Sequence, residues 1–99
     1  MLNINTRSEN GIGNIELIGE LDTTSAVDFQ KAIDGFLDDL TDLTIDMKEL
    51  DYITSAGLRV LLIIEQTMED QGTMTVINVN SDVMDVFEVS GFTEVLNIQ

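Results

Sequence analysis

Thr54 and Ser55 stand in front of the small pair Ala56-Gly57 and a long apolar run. Ser55 is thereby placed at a helix start, where a serine oxygen can cap a free amide for about 1 kcal/mol. A helix start also tolerates a phosphate, because the first-turn amides and the macrodipole both favour negative charge. Ala56 and Gly57 add no bulk, so an enzyme could reach the hydroxyl. Cap and phosphoacceptor fit the same geometry, and composition and spacing do not separate them. Asp22 closes an alternating run just before Thr23-Thr24-Ser25 and reads as a helix cap. It lies beside the loop at 51–55 if the two strands that lead there are neighbours.

The remaining carboxylates offer less. Asp38, Asp39, Asp42 and Asp46 straddle a helix end, a turn and a strand, without the D-x-D-x-D-G spacing of a calcium loop. They read as solvated surface, with no metal site. Gly11, Gly13 and Gly19 are followed by a strand, whereas a nucleotide-binding loop needs a helix directly after it. The chain contains no histidine and no cysteine, so nucleophile–His triads, Cys–His pairs and the usual zinc ligand sets cannot be built from it. A hydrolase working through carboxylates lacks a pair at suitable spacing in a pocket loop. These absences point to a binding module without a cofactor, not to an enzyme.

Charge narrows the partners. Arg7, Lys31, Lys48 and Arg59 face 19 acidic residues, for a net charge of −15, and four scattered cations make no stripe for a nucleic acid backbone or an anionic membrane. No apolar run approaches the roughly 18 residues that span a bilayer, and Met1 to Asn5 carry no basic leader, so the chain reads as soluble and cytoplasmic. With 99 residues and 43% hydrophobic content, it should fold as a single domain, 1–99, around a packed core.

The elements that must position Asp22 and Ser55 follow from periodicity. Residues 2–7 and 12–21 alternate around Asn10-Gly11 and predict an antiparallel pair. Ala26, Phe29, Ile33, Phe36, Leu37 and Leu40 recur at helical spacing, with Asp28, Gln30, Lys31, Asp34 and Asp38 on the solvated side. Leu43, Ile45 and Met47 predict a short strand, and residues 48–53 a passage into a helix from about 55 to 71, ended by Gly72. Met74, Val76, Ile77 and Val79 predict a further strand. Asn80-Ser81-Asp82 caps a short helix through Val83, Val86, Phe87 and Ser90, stopped by Gly91, and Val95, Leu96 and Ile98 suggest a final edge strand. The order β-β-α-β-α-β-α-β predicts an α/β fold. Its mixed sheet has an antiparallel first pair, parallel later strands and helices mainly on one face. On the 55–71 helix, Val60, Leu61, Ile64 and Met68 form one stripe, and Leu58, Leu62 and Ile63 fall outside it. That excess either wedges against a neighbouring helix or serves as a docking face for a protein partner.

Three stretches together resemble the STAS domain family, and in particular the stand-alone bacterial anti-sigma-factor antagonists. Gly19-Glu20-Leu21-Asp22 is similar to that family's G-E-L-D strand end. Asp51-Tyr52-Ile53-Thr54-Ser55-Ala56-Gly57-Leu58-Arg59-Val60-Leu61-Leu62 is similar to its signature loop and helix start, and Val86-Phe87-Glu88-Val89-Ser90-Gly91-Phe92 to its late helix end. The resemblance spans the whole chain and implies a STAS-like mixed sheet with helices. It also implies a switch in partner exchange. The dephosphorylated antagonist binds an anti-sigma factor that is also an ATP-dependent serine kinase, and so frees a sigma factor. Phosphorylation abolishes binding, and a metal-dependent serine phosphatase restores it. Carried over by position, the phosphoacceptor is Ser55, and Asp22, Thr54, Gly57 and Leu58 join it in the implied contact surface, next to Leu62 and Ile63 from the helix face. The chain departs from the best-known D-S-S-G or D-S-T-G pattern. Thr54 replaces the aspartate and becomes a minor acceptor candidate, Ala56 replaces the second hydroxyl residue, and Arg59 fills a place often held by glycine. The alternative within the same resemblance is a non-switching scaffold subunit of a lipid-transport or stress-signalling complex.

Overall fold

Alternation through the first twenty-one residues becomes a hairpin of β1 (Leu2–Glu9) and β2 (Ile12–Leu21), paired antiparallel from Leu2↔Gly19 to Glu9↔Ile12. Asn10 and Gly11 join them with φ of 53° and 81°, the pair of left-handed residues that a tight hairpin turn requires. The structure is a computed structural model and describes residues 2–99. β3 (Asp42–Ile53) runs parallel to β2, and β4 (Thr73–Ile77) parallel to β3, so the sheet order is β1-β2-β3-β4. β1 lies at one edge, with no described strand on its outer side.

Helices α1 (Thr23–Ile33), α2 (Ser55–Gln71) and α3 (Ser81–Ser90) fill the connections. The core is built from Ile15, Leu17 and Leu21 of β2, Leu43, Ile45 and Met47 of β3, Phe29 of α1, Leu61 and Ile64 of α2 and Phe87 of α3, all fully buried. Each such side chain contributes about 1.5–3 kcal/mol by leaving water. The alternate positions Asn5, Asn14, Glu16, Thr44 and Asp46 line the opposite, polar face of the sheet. The mixed sheet with helices on its apolar face is thus as the periodicity predicts.

Four boundaries differ from the sequence expectation. The first helix stops at Ile33 and not near Leu40, because Asp34 leaves the helical region and Gly35 takes φ 82°. The chain continues in turns, closed by Phe36 N–H to Ile33 O (3.0 Å) and Leu40 N–H to Leu37 O (3.2 Å), which still deliver Leu37 and Leu40 to the core. The third strand does not stop at Met47. Register shifts between Glu16 and Ile18 and between Gly19 and Glu20 each insert an extra residue on the β3 side. Inward positions 15, 17, 19 and 21 of β2 therefore face 45, 47, 50 and 53 of β3. The third difference is at β4, which ends at Ile77, ahead of a left-handed Asn78 (φ 60°), and leaves Val79 outside. Lastly, the final edge strand is reduced to one bridge, Val76↔Ile98, held by Val76 N–H to Asn97 O and Gln99 N–H to Val76 O, both 2.9 Å. A 3₁₀ turn, Phe92–Glu94, occupies the chain before it, with the Phe92 ring stacked 6.4 Å from Phe87.

Candidate functional site

β2 and β3 end level with each other, Leu21 opposite Ile53. From those two residues the chain enters α1 through Asp22 and α2 through Thr54. The Thr54 amide donates to the Leu21 carbonyl at 3.0 Å, and its hydroxyl donates to the same oxygen at 3.4 Å. The strands are neighbours, so Asp22, Thr54 and Ser55 come to one end of the sheet.

Asp22 is the N-cap of α1, as its type and position suggest. Its Oδ1 accepts from the Ser25 amide at 2.9 Å and lies 3.0 Å from the Ser25 hydroxyl, while the Asp22 amide donates to Ser25 Oγ at 2.8 Å. Ser25 Oγ also donates to the Glu20 carbonyl at 2.8 Å and is buried. This reciprocal arrangement is a capping box with serine in the place usually held by glutamate. The hydrogen bond from the Ser25 amide, then that from its hydroxyl, hold the Asp22 carboxyl below the usual carboxylate range. Of the three hydroxyl residues that follow Asp22, Ser25 is the one that closes the box and ties it to the strand end. The D-x-x-S spacing is the available signal.

Ser55 is not a cap. The N-cap of α2 is Thr54, which makes no side-chain cap bond because its hydroxyl is turned to Leu21. Ser55 is the first helical residue, exposed, and its hydroxyl makes no hydrogen bond among the described residues. Gly57 and Leu58, expected in the contact surface, are buried. A Cβ on Gly57 would lie 2.6 Å from Leu21 Cγ and 2.8 Å from Ile53 Cγ1, so its absence lets α2 seat directly on the ends of β2 and β3. Leu58 is only 7% exposed and belongs to the core. Leu62 and Ile63 are half-buried, and Ile63 lines a surface groove with Ile33 and Leu37. A second shallow groove lies between α1 and α2, with Thr23, Val27 and Gln30 of α1 on one wall and Ala56, Arg59 and Val60 of α2 on the other. Val27 is 54% exposed and Tyr52, at the end of β3, 44% exposed. Neither stands out in the sequence, since each falls outside its element's apolar stripe.

Among the described residues no three carboxylates converge on a cation position, Asp38, Asp39, Asp42 and Asp46 included. No described helix is long and apolar enough to cross a membrane.

Comparison with known proteins gives one family. A model of the STAS domain matches residues 3–99. The protein BtrV of Bordetella bronchiseptica, which carries a provisional name as an anti-sigma factor antagonist, is 39% identical over 57 residues, which is 57% of this chain and 49% of that protein. The match therefore spans about half of that relative's length. Among solved structures, an anti-sigma factor antagonist from Mycobacterium paratuberculosis superposes with a TM-score of 0.86 at 17% identity, covering 99% of this chain and 85% of the other. The anti-sigma factor antagonist SpoIIAA in its unphosphorylated form gives 0.75 at 17% identity, covering 100% and 87%. The phosphorylated form of SpoIIAA, described as a Bacillus cell fate determinant, gives 0.73 at 20%, covering 100% and 91%. At these identities the structural likeness establishes a shared fold.

Proposed function

This chain belongs to the STAS domain family, and on that premise we propose that it is an anti-sigma factor antagonist, a phosphorylation-switched binding module that catalyses no reaction of its own. Dephosphorylated, it sequesters an anti-sigma factor that is also a serine kinase, and so releases a sigma factor. The kinase transfers the terminal phosphoryl group of ATP to the Ser55 hydroxyl, and binding is lost. A metal-dependent serine phosphatase hydrolyses the phosphoserine and restores it. These exchanges take place in the cytoplasm, without direct contact to nucleic acid or membrane.

The observation that carries this reading is the difference between two adjacent hydroxyls. Thr54 is tied to the Leu21 carbonyl, whereas Ser55 is exposed and uncommitted at the first position of α2. Ser55 is the acceptor on that ground, and Thr54 at most a minor one. A phosphate would bring about 1.5–2 negative charges to a chain already at −15. The first-turn amides of α2 accommodate it locally, while a docking partner would have to desolvate it. Asp22, Thr54, Ser55, Leu62 and Ile63 form the contact surface, and Gly57 and Leu58 act from beneath by seating α2.

Titration calorimetry of the wild type, Ser55→Ala, Ser55→Asp and the phosphorylated protein against one anti-sigma kinase tests the switch. Ser55→Ala should bind as tightly as the wild type and resist release by ATP. Ser55→Asp should bind more weakly, and the phosphorylated protein most weakly, since aspartate carries less charge than phosphate. Equal affinities across all four would overturn the proposal and favour the permanent scaffold subunit.

A further inference from the structure

Arg59 follows Ser55 by one turn of α2, and we propose that its guanidinium receives the phosphoryl group on Ser55 and holds it over the groove between α1 and α2. This rests on Ser55 being the phosphoacceptor. Residues four apart on a helix share a face, with Cβ atoms about 5–6 Å apart, and both Ser55 and Arg59 are exposed. The guanidinium has no hydrogen bond or ion pair among the described residues, in a chain with 19 carboxylates. It is an uncommitted planar fork, matched to two phosphate oxygens. The other cations stand elsewhere: Arg7 on β1, Lys31 in the last turn of α1 and Lys48 within β3.

Arg59 lines the groove with Val27, Ala56 and Val60. A phosphate drawn toward it is brought to the rim of that groove. Modification then does two things at once: it adds charge at the head of α2 and fixes that charge at the rim of the recess in which Val27 is exposed. Arg59 acts here as a positioning residue, with no competing partner among the described residues.

The test installs phosphoserine at position 55 during synthesis, so that no kinase is needed, in the wild type, Arg59→Gln and Arg59→Lys. Phosphorus NMR then follows the second ionisation of the phosphate, near pH 6 in an unpaired phosphoserine. A cation in contact favours the dianion, so the wild-type midpoint should lie about half a unit below that of Arg59→Gln. Arg59→Lys should fall between them, keeping the charge without the fork. The unphosphorylated Arg59→Gln protein should melt with the wild type. Identical titrations in all three backgrounds would overturn the pairing. Intact mass after incubation with an anti-sigma kinase and ATP tests the other premise separately. A protein that gains no phosphate there, yet shows the shifted midpoint when synthesised with phosphoserine, fails the functional reading and keeps the pairing.

Discussion

A carboxylate that accepts from a first-turn amide resists protonation, and Asp22 accepts in this way from Ser25. Its folded pKa lies below the ordinary aspartate value. The stability it contributes is therefore complete above that value and is lost as pH falls through the folded pKa, so the effect is confined to acid below about pH 4. Asp22→Ala should lower the melting temperature by a few degrees at pH 7 and flatten the acid limb of the stability profile, as measured by melts across pH 2–7. An unchanged acid limb would mean that the cap is dispensable. At Ser55 the outcome is the reverse of what a cap implies. Because the hydroxyl makes no cap bond, Ser55→Ala should change stability by less than about 0.5 kcal/mol. Residue types alone placed Asp22 and Ser55 at element starts. Which of Thr54 and Ser55 would be the cap depended on the Leu21 carbonyl, thirty-three positions away from Thr54, and no local pattern carries that information.

At the scale of elements, α2 carries the site and also most of the ambiguity. Leu58 and Leu62 flank the sheet-facing stripe on one side and Ile63 on the other, yet Leu58 is in the core and the other two are half-buried. Leu58→Ala should cost about 2–5 kcal/mol through a cavity. Leu62→Ala should cost less than that and weaken binding to an anti-sigma partner more than it lowers the melting temperature. Denaturant titration paired with calorimetry separates the two, and equal losses of stability would place Leu62 in the core as well. A wide apolar helix was legible from spacing. The seat that buries Leu58 was not, because it depends on Gly57 admitting Leu21 and Ile53. The second half of β3 escaped for a related reason. Its bulges change the inward step from two residues to three, Met47 to Leu50 to Ile53, which breaks the strict alternation that marks a half-buried strand in sequence. The end of α1 escaped in the opposite sense. Phe36, Leu37 and Leu40 keep helical spacing after Gly35 has turned the chain.

For the whole molecule, none of Arg7, Lys31, Lys48 and Arg59 forms an ion pair with a described carboxylate. The charge of −15 therefore acts as diffuse self-repulsion. Salt raised from low to moderate concentration should screen it and raise the melting temperature. A flat or falling response would show that local pairing dominates. That same repulsion bears on β1. No described strand pairs with its outer edge, along 8 residues with no proline, which makes it a template on which another chain could extend the sheet. Mutual repulsion between like-charged molecules stands against that growth at neutral pH, as do Arg7 and Glu9 on the strand itself. Near the isoelectric point, pI ≈ 4.1, the net charge that keeps the molecules apart falls away, and the association expected there would find in the edge of β1 a strand ready to pair.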